Sequence, residues 1–307
     1  MTIGRHQELR TKDRTKDQER RTKDRWFLDV IYAAIFDMDG VLVDSYHAHY
    51  ESWRMLAAEE GIDFPERDFA RTFGRTSREI IRLMWAGRHV NEARVRALDG
   101  RKELLYRQII ARNFPAMPGA TALLRELQQA GFRLAVGSSG PPENVEAVLE
   151  HLGRAQASDD KAEGSDGKAK ASPYIVAGNA GAAGDKAAAP DGRAKALRDG
   201  SPHTGPLFDA VVTGMDVVRG KPDPQVFLLA AERMHVPPDR SVVIEDAAPG
   251  IEAANRAGMA SVALVATGRT EKEFLPVRPS RIVRSLTELT PRGLAELIER
   301  HQRAPLS

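Results

Sequence analysis

The chain has 307 residues, of which 42% are hydrophobic and 29% are charged, and this composition excludes collagen-like, membrane-spanning and wholly disordered proteins. The 45 basic and 43 acidic residues leave a net charge of +2, which is too small to favour nucleic acid or an anionic membrane as a partner. Cysteine is absent, so disulfide frameworks, thiolate metal sites and cysteine nucleophiles are excluded.

The first 28 residues form a charged segment in which the tetrapeptide RTKD recurs at Arg10, Arg14 and Arg21. Such a repeat has no apolar side chains to bury, so we expect residues 1–28 to be a disordered tail. The segment lacks the apolar run of a secretory signal, and no apolar run in the chain approaches the roughly 20 residues of a membrane helix. We therefore expect a cytoplasmic protein without a membrane or specific nucleic-acid partner, present as a monomer or weak dimer.

After the tail, short apolar runs alternate with segments of helical periodicity, which is typical of a parallel sheet with crossover helices. The predicted strands are Val30–Phe36, Arg133–Val136, Ala210–Thr213, Ser241–Ile244 and Ser261–Val265. The predicted fold class is therefore α/β, with a doubly wound, Rossmann-like parallel sheet as its core. Residues 29–45 and 114–290 make this core, and residues 291–307 form a C-terminal helix or tail.

About 90 residues separate the first two predicted strands, which is far more than one crossover helix needs. We assign residues 46–113 to a small helical cap inserted after the first strand. Its predicted helices are Tyr46–Glu60, Arg67–Phe73, Ser77–Ala86, Asn91–Leu98 and Arg101–Asn113, separated at Gly61, Pro65, Gly74, Gly87 and Gly100.

A second compositionally biased segment, Arg154–Pro206, is rich in Ala and Gly and offers only Tyr174–Val176 for burial. This composition predicts a flexible, low-complexity insertion in the core. The preceding helix, at roughly Glu143–Leu152, starts at the carboxyl edge of the sheet, where ligands of such sheets bind, and runs away from it. We therefore expect the insertion to be dispensable for any chemistry at that edge.

Ligands of open α/β sheets bind beyond the carboxyl ends of the strands, so candidate functional residues are those that follow the predicted strands. These residues are Asp37 and Asp39, Ser138, Thr213, Glu245 and Asp246, and Thr267.

The strongest local signal is the acid pair Asp37 and Asp39, directly after the first predicted strand in FDMDGVLVDS. Carboxylates at positions i and i+2 of an extended backbone point the same way. One can stay ionised beside a metal as a nucleophile while the other carries a proton, because different surroundings separate the pKa values of such pairs. Taken alone, the same residues also suit a solvated turn or part of a calcium loop.

Ser138 and Ser139 follow the second predicted strand, where a hydroxyl and loop amides can hold a phosphate oxygen, although helix capping is an equal alternative. Lys221 lies in GKPDP, where two prolines stiffen the loop; a solvated loop lysine is the alternative. The stretch Gly214–Lys221 is not a P-loop, because five residues separate its glycines and Pro222 replaces the Ser or Thr.

Glu245 and Asp246 end the fourth predicted strand, and adjacent acids at a buried strand end are costly unless a cation compensates them. A helix N-cap is the alternative for Asp246. The acids, the hydroxyl and the lysine all lie at carboxyl ends of parallel strands, so together they predict one site for a phosphate group and a metal ion.

The motifs FDMDGVLVDS, VGSSG, GKPDP and IEDAAPGI resemble those of the haloacid dehalogenase superfamily, and within it the β-phosphoglucomutase-like phosphatases with a helical cap after the first strand. The resemblance extends over about residues 29–290 and skips the insertion. It implies that Asp37 is the nucleophile that forms an aspartyl-phosphate and that Asp39 is the general acid and base. Dehalogenase members lack the second aspartate, so Asp39 favours phosphoryl transfer.

The same resemblance implies that Ser138 and Lys221 hold the transferring phosphate, with Ser139 as a further phosphate-binding candidate. The implied cofactor is Mg²⁺, and its implied ligands are Asp37, the carbonyl of Asp39, Asp246 and, in support, Glu245.

In the cap, His49 and Trp53 match the β-phosphoglucomutase pattern, Arg78 matches the arginine of its substrate loop, and Lys102 lies near its cap lysine. For His49, Arg78 and Lys102 an ordinary position on a helix surface is the alternative.

These residues predict a Mg²⁺-dependent phosphatase for a small phosphorylated metabolite such as a sugar phosphate. The first alternative is a β-phosphoglucomutase-type mutase, which passes the phosphate to a sugar hydroxyl instead of water. The second is a catalytically silent binding or regulatory protein with the same fold, which would be expected to have lost the nucleophile.

Overall fold

The computed structural model describes residues 30–72, 75–86, 90–163 and 207–303, and within them the chain forms a six-stranded sheet with helices on both faces and a helical cap. All strand pairs are parallel, and the strand order is β3-β2-β1-β4-β5-β6, which confirms the predicted doubly wound α/β fold. The strands are β1 (Ala33–Phe36), β2 (Arg133–Gly137), β3 (Ala210–Val212), β4 (Ser241–Glu245), β5 (Ala260–Leu264) and β6 (Arg281–Val283).

The core helices lie on the two faces of the sheet, and the C-terminal one buries Leu294 and Ile298 in the same hydrophobic cluster as β1. None of the helices among the described residues is long and apolar enough to cross a bilayer. The core helices are α5 (Ala120–Gln129), α6 (Pro142–Glu163), α7 (Gln225–Met234), α8 (Ala248–Arg256) and α9 (Pro291–Arg303).

Strand β1 shows why a short apolar run becomes the centre of such a sheet. All four of its residues are fully buried, with Ala34 and Phe36 in the hydrophobic cluster on one face and Ala33 and Ile35 in the cluster on the other. A parallel strand covered on both faces needs apolar side chains at every position, so it has no polar alternation. Because β1 lies between β2 and β4, the strand order reverses beside it, and the ends of β1 and β4 flank the crevice where ligands of such sheets bind.

Sequence analysis did not predict the sixth strand. Strand β6 has only three residues, two of which are partly exposed, and among the described residues it pairs with β5 alone, at the edge of the sheet. A short edge strand has no long apolar run, so its formation depends on the neighbouring strand and not on its own sequence.

The cap has its own hydrophobic cluster, which is separate from the sheet and includes Trp53, Phe69 and Ile81. The predicted helices begin and end within a few residues of the observed ones, apart from the break at Gly100. Gly74 and Gly87 lie outside the described residues. The cap helices are α1 (Tyr46–Glu59), α2 (Glu66–Thr72), α3 (Ser77–Met84) and α4 (Glu92–Arg112).

The predicted break at Gly100 is wrong, because α4 runs unbroken through it. Glycine inside a helix costs about 1 kcal/mol relative to alanine, which is a small penalty. Leu98 and Leu105 on either side are buried in the cap cluster, and this burial contributes about 1.5–3 kcal/mol for each side chain. Tertiary packing therefore outweighs the local preference of the glycine.

Replacing Gly100 by Ala should stabilise the cap by about 0.5–1 kcal/mol, because alanine loses less conformational entropy on folding. A methyl group at Gly100 meets no described atom within 4 Å, and the position is exposed. The control is Gly119→Ala, which should destabilise, because Gly119 has φ +85° and its added methyl would press on Thr287. Denaturant unfolding of both variants measures the difference; a Gly100→Ala variant less stable than wild type would contradict this account.

The helix before the predicted insertion is longer than its sequence suggested. Helix α6 continues to Glu163, so the predicted start of the flexible insertion at Arg154 is wrong for residues 154–163. Alanine, glutamine, lysine and glutamate in this stretch favour helix, and the first glycine comes only at Gly164. Residues 164–206 and the predicted tail at residues 1–28 lie outside the described residues.

Candidate active site

The carboxyl ends of β1 and β4 bring three buried acids together at the crevice. Asp37 follows β1, Glu245 ends β4 and Asp246 follows it, and each offers a carboxylate oxygen within 4.8 Å of the other two. Residues far apart in sequence meet here because β1 and β4 are adjacent and in register, with Phe36 opposite Ile244. The structure thus brings together the three acids that sequence analysis predicted at this edge.

Lys221 lies between two of these acids. Its Nζ donates to Asp37 Oδ1 at 2.6 Å and to Glu245 Oε1 at 2.7 Å, and it lies 4.8 Å from the centre of the Phe227 ring. Burial alone would lower the pKa of Lys221, but Asp37 and Glu245 outweigh it and raise that pKa above its usual range. The solvated-loop alternative for Lys221 is therefore excluded, since the ammonium is a fixed positive charge beside the predicted nucleophile.

The acids themselves are poorly compensated in the absence of a further cation. Burial raises the pKa of Asp37 to about 7, with Glu245 and Asp39 adding to the rise and Lys221 opposing it. Burial, followed by the charge of Glu245, raises the pKa of Asp246 well above its usual range, although Arg269 Nε approaches its Oδ2 at 3.3 Å. Two buried carboxyl groups held away from ionisation are the arrangement that a divalent cation would relieve.

Two glycines make room for the acid cluster. A methyl group at Gly40 would overlap the carboxylate of Asp246, and Gly40 also has φ +76°, which favours glycine. A methyl group at Gly250 would overlap the carboxylate of Glu245. The backbone therefore approaches the acids more closely than any other residue would allow, and the cluster fits a small, oxygen-binding cation such as Mg²⁺.

Glu245 differs from the other two acids in that both of its oxygens already have partners. Oε1 accepts from Lys221, and Oε2 accepts from the backbone amide of Ala247 at 2.6 Å. This arrangement orients Lys221, and the predicted part of Glu245 in metal binding stays a prediction.

Asp39 turns its carboxylate towards the cap. Its Oδ1 is 3.1 Å from His49 Nε2 and accepts from the hydroxyl of Tyr106 at 3.1 Å. Burial alone would raise the pKa of Asp39, but its interactions with His49, a hydrogen bond with Ser45 and nearby Lys102 lower that pKa to about 2. Sequence analysis expected the nucleophile of the pair to be the ionised acid and the other to hold the proton. In these surroundings the order is reversed, because buried Asp37 has a pKa of about 7 and Asp39 is the more acidic of the two.

His49 is held between Asp39 and Lys102. Lys102 Nζ lies 2.9 Å from His49 Nδ1, and the imidazole stacks on the Tyr106 ring at 4.2 Å between centroids. An ammonium has only protons to donate, so Nδ1 is the acceptor and Nε2 carries the ring proton that it donates to Asp39. The helix-surface alternative is excluded for both residues, because Lys102 is only 3% exposed and His49 contacts Asp39.

The predicted phosphate-binding serines have different surroundings. Ser138 is buried at the end of β2, and its Oγ accepts from the amide of Gly140 at 3.0 Å, which shapes the loop before α6. Ser139 is exposed. Among the other strand-end residues, Thr213 bonds Asp216, and Thr267 donates to Asp44 at 3.1 Å, so the described contacts of both shape loops.

Two cap candidates lie farther from the acids. Trp53 is 2% exposed in the cap cluster, and its ring is 5.6 Å from Lys102 Nζ, so its described contact with the site passes through that lysine. Arg78 is exposed on α3 and donates to Glu92 at 2.6 Å. Their predicted contact with substrate stays a prediction.

Sequence analysis missed Tyr106, Glu103, Asn144 and Arg269, which all bond to residues of the site or to their partners. Tyr106 was detectable in part, since it lies four residues after Lys102 and so shares its helix face. Asn144 and Arg269 lie on different elements from the residues that they contact, and Glu103 resembles an ordinary surface residue in sequence.

Comparisons with known proteins agree with the fold and the motifs. Validoxylamine A 7'-phosphate phosphatase of Streptomyces hygroscopicus subsp. limoneus is 28% identical over 244 residues, covering 78% of this chain and 87% of the relative. β-Phosphoglucomutase of Bacillus subtilis is 28% identical over 238 residues, covering 75% and 81%. The crystal structure of β-phosphoglucomutase from Clostridium difficile superposes with a TM-score of 0.61 at 23% identity, covering 89% of this chain and 99% of that one.

The family model of the haloacid dehalogenase-like hydrolases matches residues 31–189, just over half of the chain, and a HAD-hydrolase-like model matches residues 218–289. The first match contains both acids after β1, and the second contains Lys221 and the acids after β4. The chain therefore belongs to the haloacid dehalogenase-like hydrolases.

Proposed function

We propose that the protein is a Mg²⁺-dependent phosphatase that hydrolyses a small sugar phosphate through an aspartyl-phosphate on Asp37. The observation that carries the proposal is the placement of Asp37 beside Lys221 and two further acids, with Asp39 two residues away and bonded to the cap. Phosphoryl transfer depends mainly on positioning and on neutralising charge, and this cluster supplies both.

In the first half-reaction an oxygen of Asp37 attacks phosphorus, and the bond from phosphorus to the sugar oxygen breaks. The ammonium of Lys221, held by Glu245, faces the nucleophile and stabilises the charge that accumulates on the phosphoryl oxygens. Ser138 follows β2, and its Oγ accepts from the amide of Gly140; in this proposal its hydroxyl proton is donated to one of those oxygens. When bound by Asp37, Asp246 and the carbonyl of Asp39, Mg²⁺ would supply a Lewis acid that neutralises the phosphate.

Asp39 transfers a proton in both half-reactions. In the second half water attacks the phosphorus of the aspartyl-phosphate, and the bond from phosphorus to the Asp37 oxygen breaks. Asp39 accepts the proton of that water, and its pKa of about 2 leaves it ionised for that role. In the first half it must give a proton to the leaving sugar oxygen. A bound phosphate adds negative charge beside a carboxyl whose burial already favours protonation, so substrate itself raises the pKa of Asp39 towards the acid form.

A phosphosugar mutase remains the second candidate, and the similarity to β-phosphoglucomutase of Bacillus subtilis is what favours it. The mutase shares the first half-reaction and differs in giving the phosphate to a sugar hydroxyl. A catalytically silent protein is the weaker alternative, since Asp37, Asp39 and Lys221 are all present and Lys221 donates to Asp37.

A panel of hexose, pentose and hexitol phosphates, scored separately for free phosphate and for isomerised sugar phosphate, tests the proposal. A phosphatase releases phosphate in proportion to the substrate consumed. Isomerisation without release would establish the mutase, and neither product from any substrate, with folded protein, would favour the silent alternative.

Removing divalent metal should abolish phosphate release, and adding Mg²⁺ should restore it, because two carboxyl groups of the cluster are buried without sufficient positive charge. Calcium should inhibit, since it takes more ligands in a looser geometry and displaces the nucleophile. Phosphate release in excess EDTA, followed by back-titration with each metal, measures this. Activity that persists in chelator would contradict the metal assignment.

A further inference from the structure

Helix α4 is shared between the cap and the core. Leu98 and Leu105 pack in the cap cluster, whereas Tyr106 and Ile110 pack in the cluster that covers the sheet. Residues 102–107 therefore lie at the junction between the two units, where a movement of the cap relative to the core would change side-chain contacts.

A series of hydrogen-bonded polar side chains, of which Lys102 and Asn144 are buried and Glu103 and Arg107 half-buried, crosses this junction. Lys102 Nζ donates to Glu103 Oε1 at 2.9 Å, and Glu103 Oε2 accepts from Asn144 Nδ2 at 2.6 Å. Asn144 Oδ1 in turn accepts from Arg107 at 2.8 Å. Three of these residues belong to α4, and Asn144 belongs to α6 of the core, so a single core side chain bonds two cap side chains on successive turns of one helix.

The burial of Lys102 and Asn144 makes their hydrogen bonds hard to replace. Lys102 is 3% exposed and Asn144 is 2% exposed, so neither can exchange its partners for water without a local opening. Burial alone would raise the pKa of Glu103, but Lys102 and Asn144 outweigh it and lower that pKa, which keeps Glu103 ionised as the partner of the buried ammonium. An apolar side chain at position 144 would leave Glu103 and Arg107 without their core partner.

This series of hydrogen bonds continues to Asp39. On its other side, Lys102 Nζ bonds His49 Nδ1, and His49 Nε2 bonds Asp39. Asn144 lies in the first turn of α6, where its amide donates to the carbonyl of Pro141 directly after the Ser138 loop. Asn144 is therefore tied to the predicted phosphate loop by its backbone and to the cap by its side chain.

We propose that Asn144 on the core, with Glu103 and Arg107 on the cap, forms a latch that holds the cap over the catalytic edge and thereby fixes Lys102 against His49. Asn144 is a positioning residue, because its described contacts are with Glu103, Arg107 and the backbone. The inference rests on the proposed function only in that the latched state is the one that turns over substrate.

The first test measures cap position without any substrate. The chain has no cysteine, so single cysteines introduced at the exposed positions Ala97 on α4 and Asp239 on the core are the only sites for spin labels. Double electron–electron resonance should show a broader and longer cap–core distance distribution in Asn144→Leu than in the labelled parent. Arg101→Ala is the matched control: Arg101 is adjacent to Lys102 but pairs only with exposed Glu59 in its described contacts. An unchanged distribution in Asn144→Leu would overturn the latch.

The second test measures turnover of glucose 6-phosphate and p-nitrophenyl phosphate. In Asn144→Leu, kcat should fall about 10- to 100-fold while KM changes much less, because a misplaced Lys102 and His49 impair the chemical step more than binding. Glu103→Gln keeps an acceptor for Asn144 and should retain more activity than Glu103→Ala. The double variant Glu103→Ala/Asn144→Leu should lose no more than the worse single variant, since both break the same bond. Losses that multiply would contradict a shared latch.

Circular dichroism melting establishes that each variant folds, and if Asn144→Leu does not, Glu103→Gln and Glu103→Ala carry both measurements. The two proposals fail separately. If Asn144→Leu changes the cap–core distance but the protein releases phosphate from no substrate, the latch stands and the proposed phosphatase function is wrong. If the enzyme is active and Asn144→Leu keeps the wild-type kcat and cap–core distance, the phosphatase function stands and the latch is wrong.

Discussion

Asp37→Asn should lower the rate of phosphate release by more than about a thousandfold, because an amide cannot act as the nucleophile that forms the covalent intermediate. Asparagine has nearly the shape of aspartate and Asp37 is already prone to protonation, with a pKa of about 7, so the folded chain should tolerate a neutral side chain there. The measurement is single-turnover phosphate release together with intact-mass detection of a phosphorylated chain after acid quench. Wild type should show the added phosphate and the variant should not.

The matched control for that experiment is Asp63→Asn, which removes a carboxylate of the same kind from an exposed cap position. It should leave the rate and the phosphorylated species unchanged. Asp39→Asn separates the two acids, since it should slow turnover while leaving Asp37 available for phosphorylation. A phosphorylated species in Asp37→Asn would show that another residue is the nucleophile.

Lys221→Met should have the largest combined effect, on stability as well as on rate. The side chain is 9% exposed and compensates both Asp37 and Glu245, and breaking such a buried pair costs about 3–5 kcal/mol because the partner charge stays uncompensated. The rate should also fall by orders of magnitude, because the fixed positive charge beside the nucleophile is lost.

The stability loss in Lys221→Met should depend on pH. Lys221 lowers the pKa of Asp37, so removing it raises that pKa beyond about 7, further above the value of 3.8 expected for the unfolded chain. A raised carboxyl pKa costs nothing below the unfolded value; its cost grows with pH up to the folded pKa and is constant above it. The cost in the variant therefore exceeds that in wild type only above a pH of about 7, where Asp37 of wild type is already ionised. Melting at pH 5 and pH 8 should therefore show the larger deficit at pH 8, and Mg²⁺ should recover part of it.

Lys272→Met, at an exposed position, is the control and should melt as wild type at both pH values. Lys221→Arg should restore part of the stability, since it retains a cation, but it should restore less of the rate, because a guanidinium does not reproduce the compact ammonium. A Lys221→Met variant with equal deficits at pH 5 and pH 8 would mean that Asp37 is not the group left uncompensated.

The amino-acid sequence by itself determined the doubly wound sheet and the place of its site. Fully apolar runs such as Ala33–Phe36 are stable only when covered on both faces, and parallel strands place all their carboxyl ends at one edge. Asp37, Lys221 and Asp246 therefore had to meet at that edge, wherever the helices between them lay. Local chemistry was enough because Asp37 and Asp246 directly follow strands and Lys221 lies in the proline-stiffened loop between β3 and α7.

Tertiary structure alone decided the features that depend on contacts between distant segments. Gly100 stays helical because its neighbours are buried in the cap, and β6 forms because β5 offers an open edge. Asp39 became the more acidic of the two aspartates because cap residues His49 and Lys102 surround it, although its sequence neighbours are nearly those of Asp37. Asn144 gained its two cap partners only when α4 and α6 came together. Hydrogen bonds and pKa values follow the final three-dimensional neighbours of a group, and these are not written in its local sequence.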